Sequence, residues 1–285
     1  MGEISVEELL NFGVVVVDKP RGPTSHQVSA WVRDILHVKR TGHAGTLDPK
    51  VTGVLPVAIN RATKIINYLH QQPKEYVSVM RLHSDVGEKK LKAIFRDFEG
   101  EIYQIPPVRS AVARRLRKRT IYELEFMEKE DTLVLFRAKV ESGTYIRALC
   151  RDLGDALCVG AHMEDLRRIS TAHFTEEDAV TLTDLLDAYI FWKEDGDDSL
   201  LKKYIKPGDY ILSFLPRVIV KDSAYRNLAH GSPLYRPGVI DLPSLNPGDL
   251  CTVYTESGKF ISLSRAVLEG DVVAVPERVI AEITD

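Results

Sequence analysis

The chain has 285 residues, 44% hydrophobic and 28% charged, which fits one large globular domain or one large and one small. No apolar run nears the roughly 18 residues a membrane helix needs, and the first residues lack the basic start of a signal peptide. Cys150, Cys158 and Cys251 are too few and too scattered for a disulfide framework or a zinc site, and the net charge of −3 excludes a uniformly basic nucleic-acid binder. A cytoplasmic protein without metal or membrane contact is expected. Charge is nevertheless uneven: residues 1–174 carry 27 Lys and Arg against 22 Asp and Glu, and residues 175–285 carry 11 against 19.

Val14-Val15-Val16-Val17 is a β-branched run ended by Lys19-Pro20-Arg21-Gly22-Pro23, the pattern of a buried strand stopped by a turn. A helix follows, because Thr24 and Gln27 have capping-box spacing and Val28, Trp31, Val32, Ile35 and Leu36 share one face. Beyond a Gly-rich segment, the pattern predicts a strand at 54–59, a helix at 61–69, a strand at 75–82 and a helix at 88–95. Strand-like runs dominate 108–140, notably 120–126 and 133–140. A helix at 184–192 ends in the acidic turn Glu194-Asp195-Gly196-Asp197-Asp198. Runs at 218–220, 250–254, 260–263 and 272–275 then alternate with Gly and Pro turns. Strands in uneven groups with interspersed helices indicate an α+β fold on a central, mainly antiparallel sheet at 1–215. A small C-terminal β barrel is expected at 216–285.

Four places carry potential chemistry. In Gly42-His43-Ala44-Gly45-Thr46-Leu47-Asp48-Pro49, glycines permit close backbone approach and Pro49 fixes the exit, so a tight loop presents Asp48. An Asp-Pro pair is also an ordinary turn former. Lys74-Glu75-Tyr76 opens a strand with an aromatic able to stack on a base. Gly143-Thr144-Tyr145-Ile146-Arg147 ends a strand and starts a helix, placing Arg147 in the first turn, where the helix dipole opposes a cation unless an acid such as Asp48 is near; a solvated surface Arg is the plain alternative. Arg114-Arg115-Leu116-Arg117-Lys118-Arg119, with Arg109 upstream, sets five cations within six residues between strands, a density suited to a phosphate backbone or to a solvated loop.

Taken together these residues resemble the TruB/dyskerin group of pseudouridine synthases over nearly the whole chain. Val17 to Ser25 is similar to the group's opening motif, Gly42 to Gly53 to its catalytic motif, Lys74-Glu75-Tyr76 to its tyrosine motif, and Gly143 to Leu149 to its arginine motif. The resemblance implies that Asp48 is the nucleophile, that Arg147 pairs with it, and that Tyr76 and Tyr145 contact the target base; a pocket of low polarity, in which Arg147 keeps Asp48 ionised, is expected on physical grounds. It also implies that His43 and Leu166 line the substrate site. Lys19, Arg109, Arg114, Arg115, Arg117, Lys118 and Arg119 are the expected RNA contacts. Residues 216–285, with Lys221-Asp222-Ser223-Ala224 and His230-Gly231, resemble a PUA domain, an RNA-binding β barrel.

Within the group, Pro106-Pro107-Val108-Arg109-Ser110-Ala111-Val112, leading into a basic thumb loop at about 106–120, resembles the archaeal dyskerin-like branch. Trp192-Lys193-Glu194-Asp195-Gly196 does so too. About a dozen residues precede the first strand, fewer than dyskerin-type proteins commonly carry. Arg168-Ile169-Ser170-Thr171-Ala172-His173-Phe174 replaces the usual Arg-Thr-x-Ser-Gly-Pro-Phe. The implied reaction converts uridine to pseudouridine in tRNA, in rRNA as part of an H/ACA guide-RNA particle with small partner proteins, or in both. It needs no cofactor. A non-catalytic RNA-binding scaffold in ribosome assembly is the alternative, whereas a glycoside hydrolase would need a second carboxylate at a fixed site.

Overall fold

The structure, a computed structural model, describes residues 4–105 and 115–282. Arg109, Arg114 and the segment Pro106 to Val112 lie outside the described residues.

The larger unit is built on an 11-stranded sheet. Its main strands are β1 (Phe12–Lys19), β2 (Thr52–Asn60), β3 (Lys74–Leu82), β4 (Gly100–Gln104), β5 (Arg117–Glu130), β6 (Leu133–Val140) and β7 (Ala161–Thr171), in the order β1-β2-β7-β3-β6-β5-β4. Most neighbours are antiparallel, as expected. The exception that matters is β2 against β7, a short parallel pairing of Thr52 with Arg167 and Gly53 with Arg168. The sheet is therefore two antiparallel halves joined at a narrow seam.

β1 is buried on both faces, Val14 to Val17 being at most 1% exposed, which is why it reads as an uninterrupted apolar run. Helix α1 (Val6–Asn11) and helix α2 (Ser25–Ile35) cover one face of this half. α2 starts where predicted: the Gln27 amide donates to Thr24 Oγ1 at 3.1 Å, and the Thr24 amide donates to Gln27 Oε1 at 2.8 Å. The other half packs helix α3 (Glu88–Asp97) and helix α4 (Ile146–Ala156) onto β3, β5 and β6 around Phe95, Phe136 and Leu149. Helix α5 (Leu182–Glu194) leans on α2 through Leu185 and Ala188.

Two expectations are corrected. Residues 61–69 form no α-helix but two 3₁₀ turns, Arg61–Lys64 and Ile66–Gln71, because the chain leaves β2 through Asn60 at φ 45° and turns too tightly for an α-helical register. Arg117, Lys118 and Arg119 do not lie between strands. They belong to β5, where Gln104 pairs with Arg117, Tyr103 with Lys118 and Ile102 with Arg119.

The C-terminal unit is a six-stranded sheet whose main strands are β8 (Arg217–Val220), β9 (Leu250–Thr255), β10 (Phe260–Glu269) and β11 (Val272–Val279). It has a small core of its own around Val218, Val253, Ile261 and Val273. Leu263 and Ile280 nevertheless join Val14, Val16 and Leu212 of the larger unit in one buried cluster. Phe12 stacks on Phe260 at 5.8 Å, and Tyr68 donates to Glu277 at 2.6 Å. The two units share apolar interior.

Candidate active site

The loop after the short strand Thr41–His43 carries Asp48 and is tied down at several points. Ser25, on the first turn of α2, accepts from the Leu47 amide at 2.8 Å and donates to the Leu47 carbonyl at 3.1 Å. The Gly22 amide donates to the Pro49 carbonyl at 2.8 Å, and the Val51 amide to the Asp48 carbonyl at 2.9 Å. Gly53 must be glycine: it sits at φ 105°, and a Cβ there would lie 2.1 Å from the Arg168 carbonyl oxygen across the seam.

Arg147, second residue of α4, reaches this loop and places Nη2 3.0 Å from Asp48 Oδ2. This is the acidic partner that would offset the mismatch between its charge and the helix dipole. Around the pair lies a cleft of about 240 Å³ whose walls include Tyr76, Tyr145, Leu166 and Met163. Tyr145 is fixed from behind by buried Gln104, which accepts from the Tyr145 amide at 3.0 Å and donates to its carbonyl at 3.3 Å. Asp48, Arg147, Tyr76, Tyr145 and Leu166 are thus brought together. The expected low-polarity surroundings of Asp48 are not found: its side chain is 51% exposed.

Two expected site residues are elsewhere. Lys19 is fully buried and cannot meet an RNA phosphate. Its ammonium donates to the carbonyls of Pro20, Pro49 and Val51 at 2.9, 3.3 and 2.8 Å, so it holds the catalytic loop instead. His43 does not line the cleft. Its ring lies edge-on to His26 at 4.7 Å, both nitrogens are buried without a hydrogen-bond partner, and burial together with His26 pushes its pKa down to about 4. Lys118 pairs with Glu101, and Arg119 contacts Glu141 at 3.3 Å, so both spend charge within the protein. Arg115 is exposed and Arg117 half-buried.

Two further cations behind the site were not foreseen. Arg168 is buried, with its guanidinium donating to the carbonyls of Val54 at 2.8 Å and Gly45 at 3.0 Å and engaging the Tyr76 hydroxyl; burial lowers its pKa. Lys74 donates to the carbonyls of Leu69, His70 and Gln72 at 3.2, 2.7 and 2.6 Å, and burial beside Arg168 brings its pKa down to about 8. Cations satisfied by backbone carbonyls leave no acidic partner to find in a sequence. The only signal was their proximity to the motifs. Among the described residues there is no cluster of three or more metal-binding side chains, and no helix is long and apolar enough to cross a membrane.

Comparison with known proteins is consistent along the chain. The N-terminal domain profile of TruB family pseudouridylate synthases matches residues 33–88 and 83–146, and the tRNA pseudouridylate synthase B C-terminal profile matches 147–213. A PUA domain profile matches 216–283, and a DKCLD domain profile matches 4–29. A probable tRNA pseudouridine synthase B of Methanocaldococcus jannaschii is 52% identical over 93% of this chain and 80% of its own length. Its counterpart in Methanococcus aeolicus is 53% identical over 92% and 80%. Among solved structures, a Cbf5-Nop10-Gar1 complex contains a chain 45% identical, with a TM-score of 0.91 over 98% of this chain and 88% of that one. An H/ACA ribonucleoprotein bound to a substrate RNA containing 2'-deoxyuridine contains one 42% identical, with a TM-score of 0.91 over the same shares.

Proposed function

Because the chain belongs to the TruB family of pseudouridylate synthases, isomerases that act on uridine in RNA, we propose that Asp48, Arg147, Tyr76 and Tyr145 are its reaction centre. The observation that carries this assignment is the 3.0 Å contact of Arg147 with Asp48 at the mouth of a cleft sized for a single nucleoside. The reaction breaks the bond between ribose C1' and uracil N1, turns the base, and joins C5 to C1'. The C5 proton leaves and N1 gains one, so no cofactor is consumed.

Asp48 attacks C1' or promotes loss of the neighbouring ribose proton, while Arg147 aims its carboxylate. Half-exposed in the free protein, this pair is covered once a flipped nucleotide fills the cleft, which strengthens its electrostatics. Tyr76 and Tyr145 give the detached base aromatic faces, and Leu166 closes the cleft at the side. Buried Lys19, Lys74 and Arg168 set positive charge behind the loop, a field that favours uracil leaving with the bond's electron pair. Arg115 and Arg117, with Arg109 and Arg114 upstream, contact the RNA backbone. The larger unit, residues 1–215, carries the chemistry, and residues 216–285 add RNA affinity as a PUA domain.

Two substrates fit. The names of the curated relatives support a tRNA substrate, for which the T-loop uridine is our proposed target, and the solved relatives support a role as catalytic subunit of an H/ACA ribonucleoprotein with Nop10- and Gar1-like proteins, for which rRNA is the proposed substrate and the cytoplasm the proposed location. Purified protein is incubated with unmodified tRNA, and separately with guide RNA, partner proteins and a matching rRNA fragment, and pseudouridine is quantified. Pseudouridine in either mixture is expected. Its absence from both would overturn the proposal.

A further inference from the structure

We infer that a second, cationic groove, walled in part by the segment that leads into the Asp48 loop, binds the phosphodiester backbone of the RNA substrate, beyond the nucleotide held at Asp48. This rests on the RNA-modifying function proposed above. The groove, about 610 Å³, lies between the loop before Thr41, the 3₁₀ turn at Arg61–Lys64 and the end of α5. Its charged walls are Lys39, Arg40, Arg61, Lys64 and Lys193, with Glu7 on the wall and Glu282 bound to Arg61 and Asn11 at its edge. Arg61 is engaged with Glu282, and Lys193 sits over the Trp192 ring at 3.7 Å. Lys39, Arg40 and Lys64 are exposed at the opening.

The floor is built rather than merely solvated. Asn60 is held at φ 45° and ψ −109°, a conformation that suits glycine. Its side-chain oxygen accepts from the Lys39 and Arg40 amides at 3.1 and 3.0 Å, and its side-chain amide donates to the Leu10 carbonyl at 2.8 Å. His37 is also left-handed, at φ 50°, with its ring on Tyr189 at 5.3 Å. Asn60 thus holds the backbone of Lys39 and Arg40, from which two adjacent cations project. Thr63, on the groove wall, lies next to Gly42, the first residue of the catalytic segment. The groove wall thus touches the segment that leads to Asp48, and the exposed Lys39, Arg40 and Lys64 complement the charge of a phosphate backbone.

The test combines Lys39→Gln, Arg40→Gln and Lys64→Gln in the full chain, against a control with the same charge loss on α3, Lys89→Gln, Lys92→Gln and Arg96→Gln. Binding of an unmodified tRNA transcript is titrated from 50 to 300 mM salt, roughly the range over which phosphate contacts are lost. The groove variant should bind about ten- to a hundredfold more weakly at low salt, with the slope of log K against log salt reduced by about 2 to 3, one step per phosphate contact. The control should stay within about twofold of wild type, and both variants should keep the wild-type unfolding midpoint. Unchanged affinity and slope in the groove variant would overturn the inference, as would a loss that does not vary with salt. If wild type itself neither binds nor isomerises RNA, the proposed function fails; if it does both and the groove variant matches it, only the groove is lost.

Discussion

His43 shows what a buried ring without hydrogen-bond partners costs. Its pKa of about 4 lies below the ordinary 6.5 because burial and the neighbouring His26 disfavour the imidazolium. Between those pH values the unfolded chain takes up a proton that the folded chain refuses. Folded stability therefore falls as pH drops from 6.5 through 4, by at most about 3 kcal/mol from this residue. Urea unfolding of wild type and His43→Phe at pH 7 and pH 4.5 measures it: the variant should lose less stability between the two. Equal losses would contradict the assignment. At this scale the sequence was legible where charge and context disagreed, as with a cation at the start of α4 for which Asp48 was one candidate partner. It was silent where a cation is satisfied by carbonyls, as at Lys19, Lys74 and Arg168. Ala172 is a quieter departure: it stands where the family pattern has glycine, and the backbone there is at φ 53°.

Among the elements, the seam between β2 and β7 decides the geometry of the site. It brings Gly53 against Arg168, and Arg168 in turn reaches the loop that carries Asp48. Gly53→Ala should push these strands apart, costing more than about 3 kcal/mol in urea unfolding, since strain at a positive φ and a backbone clash combine. A change below about 1 kcal/mol would show that the seam yields freely. Strands and helices with strong periodicity, such as β1 and α2, were readable because burial on defined faces imposed the pattern. The 3₁₀ turns after Asn60 were not, because residues 61–69 have helical spacing and only a backbone angle rules the α-helix out. The basic run was read as a loop because charge density hid its pairing with β4.

For the whole molecule, the shared cluster of Val14, Val16, Leu212, Leu263 and Ile280 means that neither unit keeps its interior intact when the other unfolds. Calorimetry should give one cooperative transition; two separated transitions would contradict the coupling. Short apolar runs alternating with Gly and Pro turns beyond residue 215 pointed to a separate β unit, whereas the shared core was not legible, since apolar residues do not announce which neighbour they meet. In the proposed reaction one carboxylate, held by Arg147, isomerises a uridine in the cleft. Asp48→Asn should bind an unmodified substrate RNA with wild-type affinity and form no detectable pseudouridine. Turnover within about tenfold of wild type, a barrier change of only about 1.4 kcal/mol, would contradict it and favour an RNA-binding scaffold.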